Sequence, residues 1–223
     1  MGSLLVSLIP YGLAAAAAAP AAAVFAALVL SQAKRPVAAG WVFVAGAAGF
    51  DAVFAVIVLG IYDAMGADTT SDIGDWIDVA LGALFLLIGL IAVFSKDSPE
   101  KDEKRRARAT EMASSDLKKL VVVGVIVQIV NADALAVSAG GLKEIAIADV
   151  STAETVLATL FLFALVLIVY YLPVVMYAIS PTWTAPRLMA FSEWLFGHSR
   201  PVEIVTGLVL GSVFLVKGLS ALA

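Results

Sequence analysis

The sequence predicts an all-α integral membrane protein of six transmembrane helices, arranged as two inverted three-helix repeats. Three observations lead there. The 223-residue chain is 62% hydrophobic and only 14% charged, whereas a soluble domain is roughly half apolar and a quarter charged. Six apolar runs meet the ~20-residue requirement for a spanning helix. The basic residues are segregated, with twelve of the fourteen Lys and Arg in alternate connections between those runs. Strands are not expected, because the runs are continuous and rich in Ala and Leu rather than alternating.

The first run, Ser3–Leu30, is interrupted by Pro10 and Pro20. Its alanines, Ala14–Ala19 and Ala21–Ala23, look like signal-cleavage sequence, but Met1–Ala33 carries no Lys or Arg. The positive leader region of a signal peptide is therefore missing, and a retained helix is expected. The second run is Val37–Ile61, with Asp51 inside it, and the third is Trp76–Phe94. The fourth is Leu120–Leu142, holding Gln128, Asn131 and Asp133; the fifth is Val156–Ile179, with Tyr170, Tyr171 and Pro173. The sixth is Ile204–Ala223, with Lys217 near its end.

The connections orient the bundle. Lys34 and Arg35 follow the first run, eight basic residues crowd Ser95–Lys119, and Arg187 and Arg200 follow the fifth run. The opposite connections hold Lys143 alone, and Tyr62–Asp75 is acidic, with Asp63, Asp68, Asp72 and Asp75. Positive charge stays on the cytoplasmic side, so both termini are expected outside a cytoplasmic membrane. The division that follows is a first repeat over residues 1–95, a charged cytoplasmic linker over 96–119 and a second repeat over 120–223. The linker is helix-competent, and its acids dilute any attraction to anionic headgroups. Within the fifth connection, Pro186–Phe196 places Leu188, Phe191 and Leu195 on one helical face beside Trp194, the pattern of a short helix in the interface.

An offset of 112 residues lays Leu8–Leu30 on Leu120–Leu142 and Ala19-Pro20 on Asn131-Ala132. A three-helix unit repeated in tandem must enter the membrane the opposite way the second time. Inverted repeats place a transport site near the midplane, at broken helices. Pro20 has no N–H to donate and breaks the first helix; Pro173 should kink the fifth.

Charge inside the bilayer costs about 2.5–3.5 kcal/mol per residue on insertion scales. Asp51 and Asp133 bear that cost near the centres of their runs with no basic residue at matching depth, which points to a substrate path or to proton or cation coupling. Gln128 and Asn131 act there or as interhelical glue, and Tyr170 and Tyr171 act there or as interface-belt residues. The candidate substrate or coupling site is thus Asp51, Asp133, Asn131, Gln128, Pro20, Tyr170, Tyr171 and Pro173. An acidic site predicts cargo whose polar part is neutral or cationic at the midplane. Gly82 and Gly89 in the third run, and Gly207 and Gly211 in the sixth, mark close-packing faces within the bundle, with a homodimer left open.

Other chemistry is thin. The chain has no Cys and one His, His198, so no thiolate or histidine metal site, no cysteine-pair electron relay and no HExxH motif is available. No catalytic residues, metal or cofactor are expected. The expected partners are membrane lipids and a lipid or small-molecule substrate, not nucleic acid.

The chain resembles the GAP/Sap proteins, named for glycopeptidolipid and sulfolipid addressing, within the lysine-exporter (LysE) superfamily. The residues that carry the resemblance run through the chain in order. They are the first-helix proline with its small-residue run and Ser31-Gln32-Ala33-Lys34-Arg35-Pro36, then Asn131-Ala132-Asp133 and Ala139-Gly140-Gly141. Trp194-Leu195, His198-Ser199-Arg200, Gly211 and Lys217-Gly218 complete them. Members of that family often carry Asn-Pro-Lys in the fourth helix; here Ala132 and Asp133 replace the proline and the lysine. The resemblance implies six helices and export, across the inner membrane, of a cell-envelope lipid, glycolipid or precursor. Proton- or cation-coupled export of a small polar solute, such as an amino acid or ion, is the alternative.

Overall fold

A computed structural model describes residues 1–65, 67–94 and 99–222. Lys96 and Asp97 of the charged connection lie outside the described residues, as do the side chains of Asp68, Asp72, Asp75, Glu100, Lys101, Asp102 and Arg105.

Every regular element among the described residues is helical. In order these are α1 (Gly2–Ala17), α2 (Pro20–Gln32), α3 (Pro36–Met65), α4 (Ala67–Phe94), α5 (Pro99–Ala113), α6 (Leu117–Val130), α7 (Ala132–Ala146), α8 (Thr152–Val166), α9 (Ile168–Ile179), α10 (Pro181–Gly197) and α11 (Ser199–Leu222). Two helices are long and apolar enough to cross a membrane alone, Pro36–Ala64 and Arg200–Ser220. Three bent pairs raise the number to as many as five if each pair is one span: α1 with α2 at 62°, α6 with α7 at 77°, and α8 with α9 at 67°. The third predicted run falls in α4, whose stretch Gly82–Phe94 is apolar helix. The outer surface matches a lipid environment, with Val53, Val56, Ile57 and Ile61 of α3 and Val205, Val209, Val213 and Val216 of α11 all exposed.

Two of the bends have a local cause. Pro20 opens α2 at its first position, where its missing N–H costs nothing, and the residue before a proline is pushed out of the α region. Ala19 accordingly sits at φ −111°, ψ 52°. Pro10 interrupts nothing, because it lies inside a continuous α1. Neighbouring helices can hold a proline in a spanning helix. Asn131 breaks α6 from α7 without a proline, at φ −81°, ψ 54°. The bend in the fifth run is not at Pro173, which sits within α9, but six residues earlier at Leu167. Pro173 leaves the Val169 carbonyl without its usual donor, and the chain turns just before that point. The acidic connection Tyr62–Asp75 is mostly helix, since α3 runs to Met65 and α4 starts at Ala67. Lys143, expected in a connection, is buried within α7.

Two helix pairs hold the bundle together by backbone contact. A Cβ on Gly46 of α3 would stand 2.1 Å from the Val121 carbonyl oxygen of α6, and one on Gly124 would stand 2.2 Å from that of Phe43. In the other pair, a Cβ on Gly207 of α11 would stand 2.7 Å from the Gly89 backbone of α4, and one on Gly82 would meet Leu215 at 2.4 Å. The predicted glycine faces therefore meet each other inside one chain. The pair α4–α11 makes the most extensive helix contact in the fold, followed by α3–α6, α1–α7 and α1–α8; α2 also packs on α9 and α7 on α3.

The three basic connections meet at one end. There α2 packs on α5 and α10, and the Arg106 guanidinium lies over the Phe196 ring at 5.0 Å. Arg200 donates through Nε to the Ala92 carbonyl at 2.9 Å and through Nη2 to that of Val93 at 2.8 Å. A cation thus caps the C-terminus of α4, where the carbonyls have no helical donor. The amphipathic segment of the fifth connection is part of α10, with Leu195 buried, Leu188 half-buried, and Phe191 and Trp194 exposed.

Candidate functional site

The close approach of α3 and α6 brings two polar side chains together in the apolar interior. Asp51 and Gln128 each lie about one turn beyond the paired glycines Gly46 and Gly124. Gln128 Nε2 donates to Asp51 Oδ1 at 2.6 Å. Asp51 is 1% exposed and Gln128 is fully buried. The bend at Leu167 turns α9 so that Tyr170 enters the same space, 0% exposed, with its ring 5.4 Å from that of Phe43. The Tyr170 hydroxyl donates to Gln128 Oε1, and Asn131 Nδ2 donates to the Tyr170 oxygen at 3.2 Å.

Four buried side chains from α3, α6, the α6–α7 break and α9 therefore form one line. Every donor in it points toward Asp51: amide to phenol, phenol to amide, amide to carboxylate. Aligned bonds of this kind reinforce one another in a low-dielectric interior. The line stops at the carboxyl, because Asp51 Oδ2 is buried with no hydrogen-bond partner among the described residues. A buried acceptor left unmade costs about 1–3 kcal/mol and more when charged, so this atom is the one place in the line with chemistry left to do. It can take a proton or face a cation.

The other predicted positions go elsewhere. The break at Asn131 exists, but it does not turn Asn131 and Asp133 into one cavity. Asn131 faces Tyr170, while half-buried Asp133 lines a small space of about 30 Å3 with Pro20 and Ala18, against Phe85 and Ile88 of α4 and Thr206 of α11. Asp133 Oδ1 accepts from the Ala134 N–H at 3.0 Å, an acid in the first turn of α7 where the helix dipole favours it. Pro173 is buried in α9. Tyr171, next to Tyr170, turns the other way and lines an apolar groove between α3 and α8.

A second polar cluster escaped the sequence. Lys217 Nζ of α11 pairs with Glu144 Oε1 of α7 at 2.8 Å and contacts the Tyr11 hydroxyl of α1. Tyr11 also donates to Glu144 Oε1 at 3.0 Å, and the Lys217 amine stands 4.6 Å over its ring. Glu144 lies just past the end of its apolar run, so nothing marked it as intramembrane; the lone lysine in the sixth run was the signal that could have found this pair. Among the described residues, no cluster of metal-binding side chains is present.

A model of the family described as Sap, sulfolipid-1-addressing protein, matches residues 8–220 of the chain. No curated protein and no solved structure matches it.

Proposed function

The chain belongs to the sulfolipid-1-addressing protein family, and from that premise we propose that it is a secondary transporter that carries a cell-envelope lipid or glycolipid, or its precursor, out of the cytoplasmic leaflet. The observation that carries this reading is the buried line Asn131–Tyr170–Gln128–Asp51, ending in an unpartnered carboxyl oxygen. Polar groups inside a membrane protein are expensive and mark substrate or ion pathways. A lipid presents both an apolar body and a polar head, and only the head needs such a path.

The packing supports two inverted repeats of three spans each. Pairing α1 with α6, α2 with α7, α3 with α8–α9 and α4 with α11 exchanges several of the contacts of the bundle. Contact α3–α6 becomes α8–α1, α2–α9 becomes α7–α3, and α4–α11 maps onto itself. The breaks at Ala19 and Asn131 coincide at the 112-residue offset. With the basic end in the cytoplasm, both termini lie outside. Asp51 then serves as the coupling carboxyl, taking a proton or cation as the headgroup passes.

The test is reconstitution in vesicles with a fluorescent envelope glycolipid and an imposed proton gradient. Wild-type protein should move the lipid between leaflets, and Asp51→Asn should reduce the rate at least tenfold without loss of folded protein. Equal leaflet exchange with and without protein overturns the lipid reading. Wild-type rates in Asp51→Asn remove Asp51 from the coupling path.

A further inference from the structure

The groove beside Tyr171 is a space that the polar line does not use. It holds about 380 Å3. On one side lie Ala48, Ala52, Ala55 and Val56 of α3; on the other, Thr155, Thr159 and Phe163 of α8. The threonine hydroxyls do not make it polar. Thr155 Oγ1 donates to the Ser151 carbonyl at 3.2 Å and Thr159 Oγ1 to that of Thr155 at 2.8 Å, so both are satisfied by their own helix. The groove opens on the apolar outer face of α3, where Val53, Val56 and Ile57 are exposed. It is thus continuous with the surface that meets bilayer chains.

We propose that this groove is a binding site for one hydrocarbon chain of the transported lipid. The proposal rests on the lipid reading above and names where the apolar part of that cargo sits. A methylene is close in size to a water, whose share of liquid volume is about 30 Å3, so the space suits a chain of about a dozen methylenes. Each methylene removed from water is worth about 0.8 kcal/mol, but transfer from bilayer to groove gains little of this. The groove therefore selects by shape and position rather than by tight binding. Position is what it supplies. Ala52 follows Asp51 in α3 and Tyr171 follows Tyr170 in α9, so the α3 wall of the groove and its end at Tyr171 belong to two of the helices that carry the polar line. A chain seated here places its headgroup beside the network.

The probe is a phospholipid with a diazirine in the middle of a saturated acyl chain, mixed into vesicles holding the intact protein and irradiated. Adducts should concentrate on residues 48–59 and 155–164, and Ala52→Phe, which fills the groove from an exposed position, should lower them at least fivefold. Labelling of the lipid-facing residues 205–216 of α11 should stay unchanged in the same variant. Equal labelling of both regions, unaffected by Ala52→Phe, means ordinary boundary lipid and overturns the proposal. So does disulfide cross-linking between two Val156→Cys chains, which would place a second copy over the groove. Labelling is read without transport: adducts in a protein that moves no lipid would keep the site and discard the transport reading.

Discussion

The two breaks at Ala19 and Asn131 have nearly the same ψ and opposite chemistry. Their ψ angles are 52° and 54°, and their bends are 62° and 77°. The first is made by subtraction: Pro20 withholds a donor, and alanines close around the gap, Ala18 and Ala19 both buried. The second is made by competition. Asn131 is a poor helix former whose side chain bonds outside the helix, here to Tyr170. A membrane helix can thus be broken with or without polar side chains, and only the second break carries a network that reaches a carboxyl. The bend is shared architecture; the asymmetry is where the polar line begins.

Three substitutions separate those statements. Gln128→Leu should have the largest effect, because it strips the donor from a buried carboxylate. The expected loss is about 3 kcal/mol, read as unfolding in detergent micelles, and most of it should return in the double variant Asp51→Leu/Gln128→Leu. An unchanged midpoint in the single variant would show that the line is not what holds Asp51. Tyr170→Phe should come next, at about 1–2 kcal/mol, since it leaves Asn131 Nδ2 and Gln128 Oε1 without partners. Adding Asn131→Ala to it should cost little more, and full additivity would mean that the two residues act separately. The smallest effect belongs to Ala132→Pro, which gives the second break the chemistry of the first. Ala132 opens α7 as Pro20 opens α2, and Asn131 is already outside the helical region. The variant should be stabilised by up to about 1 kcal/mol, while a clear loss in thermal midpoint would show that the breaks are not equivalent.

Much of the frame was legible in the sequence because it rests on local rules. Helical class, the break at Pro20 and the glycine faces follow from residue type and spacing. Gln128, Asn131, Asp51 and Tyr170 stood out as polar residues in apolar runs. What the sequence did not show is who meets whom. The bond between Gln128 and Asp51 spans 77 positions, and the contact between Lys217 and Glu144 spans 73; helix crossing decides both. Composition groups Asp133 with Asp51, yet about half a turn of helix past the break sends it toward α4 and α11. Leu167 carries no breaker signal of its own, and Pro173, six residues later, sits inside a continuous α9. Where the acidic connection was expected, hydrophilic residues simply extend the ends of α3 and α4 beyond the apolar run.

The glycine contact between α4 and α11 sets a mechanical division of labour. Where backbones touch, there are no side chains to repack, so a tilt of one helix against the other opens a void or a clash at once. Arg200 fastens the start of α11 to the last carbonyls of α4 as well. That pair behaves as a fixed post. The three bent pairs, each joined at a one- or two-residue elbow, are the parts whose angles can change, and two of those elbows bear Asn131 and the helix of Tyr170. Any rocking of the molecule is then hinged on the polar line itself, and under the coupling role proposed for Asp51, loading that carboxyl and moving the elbows would be one event.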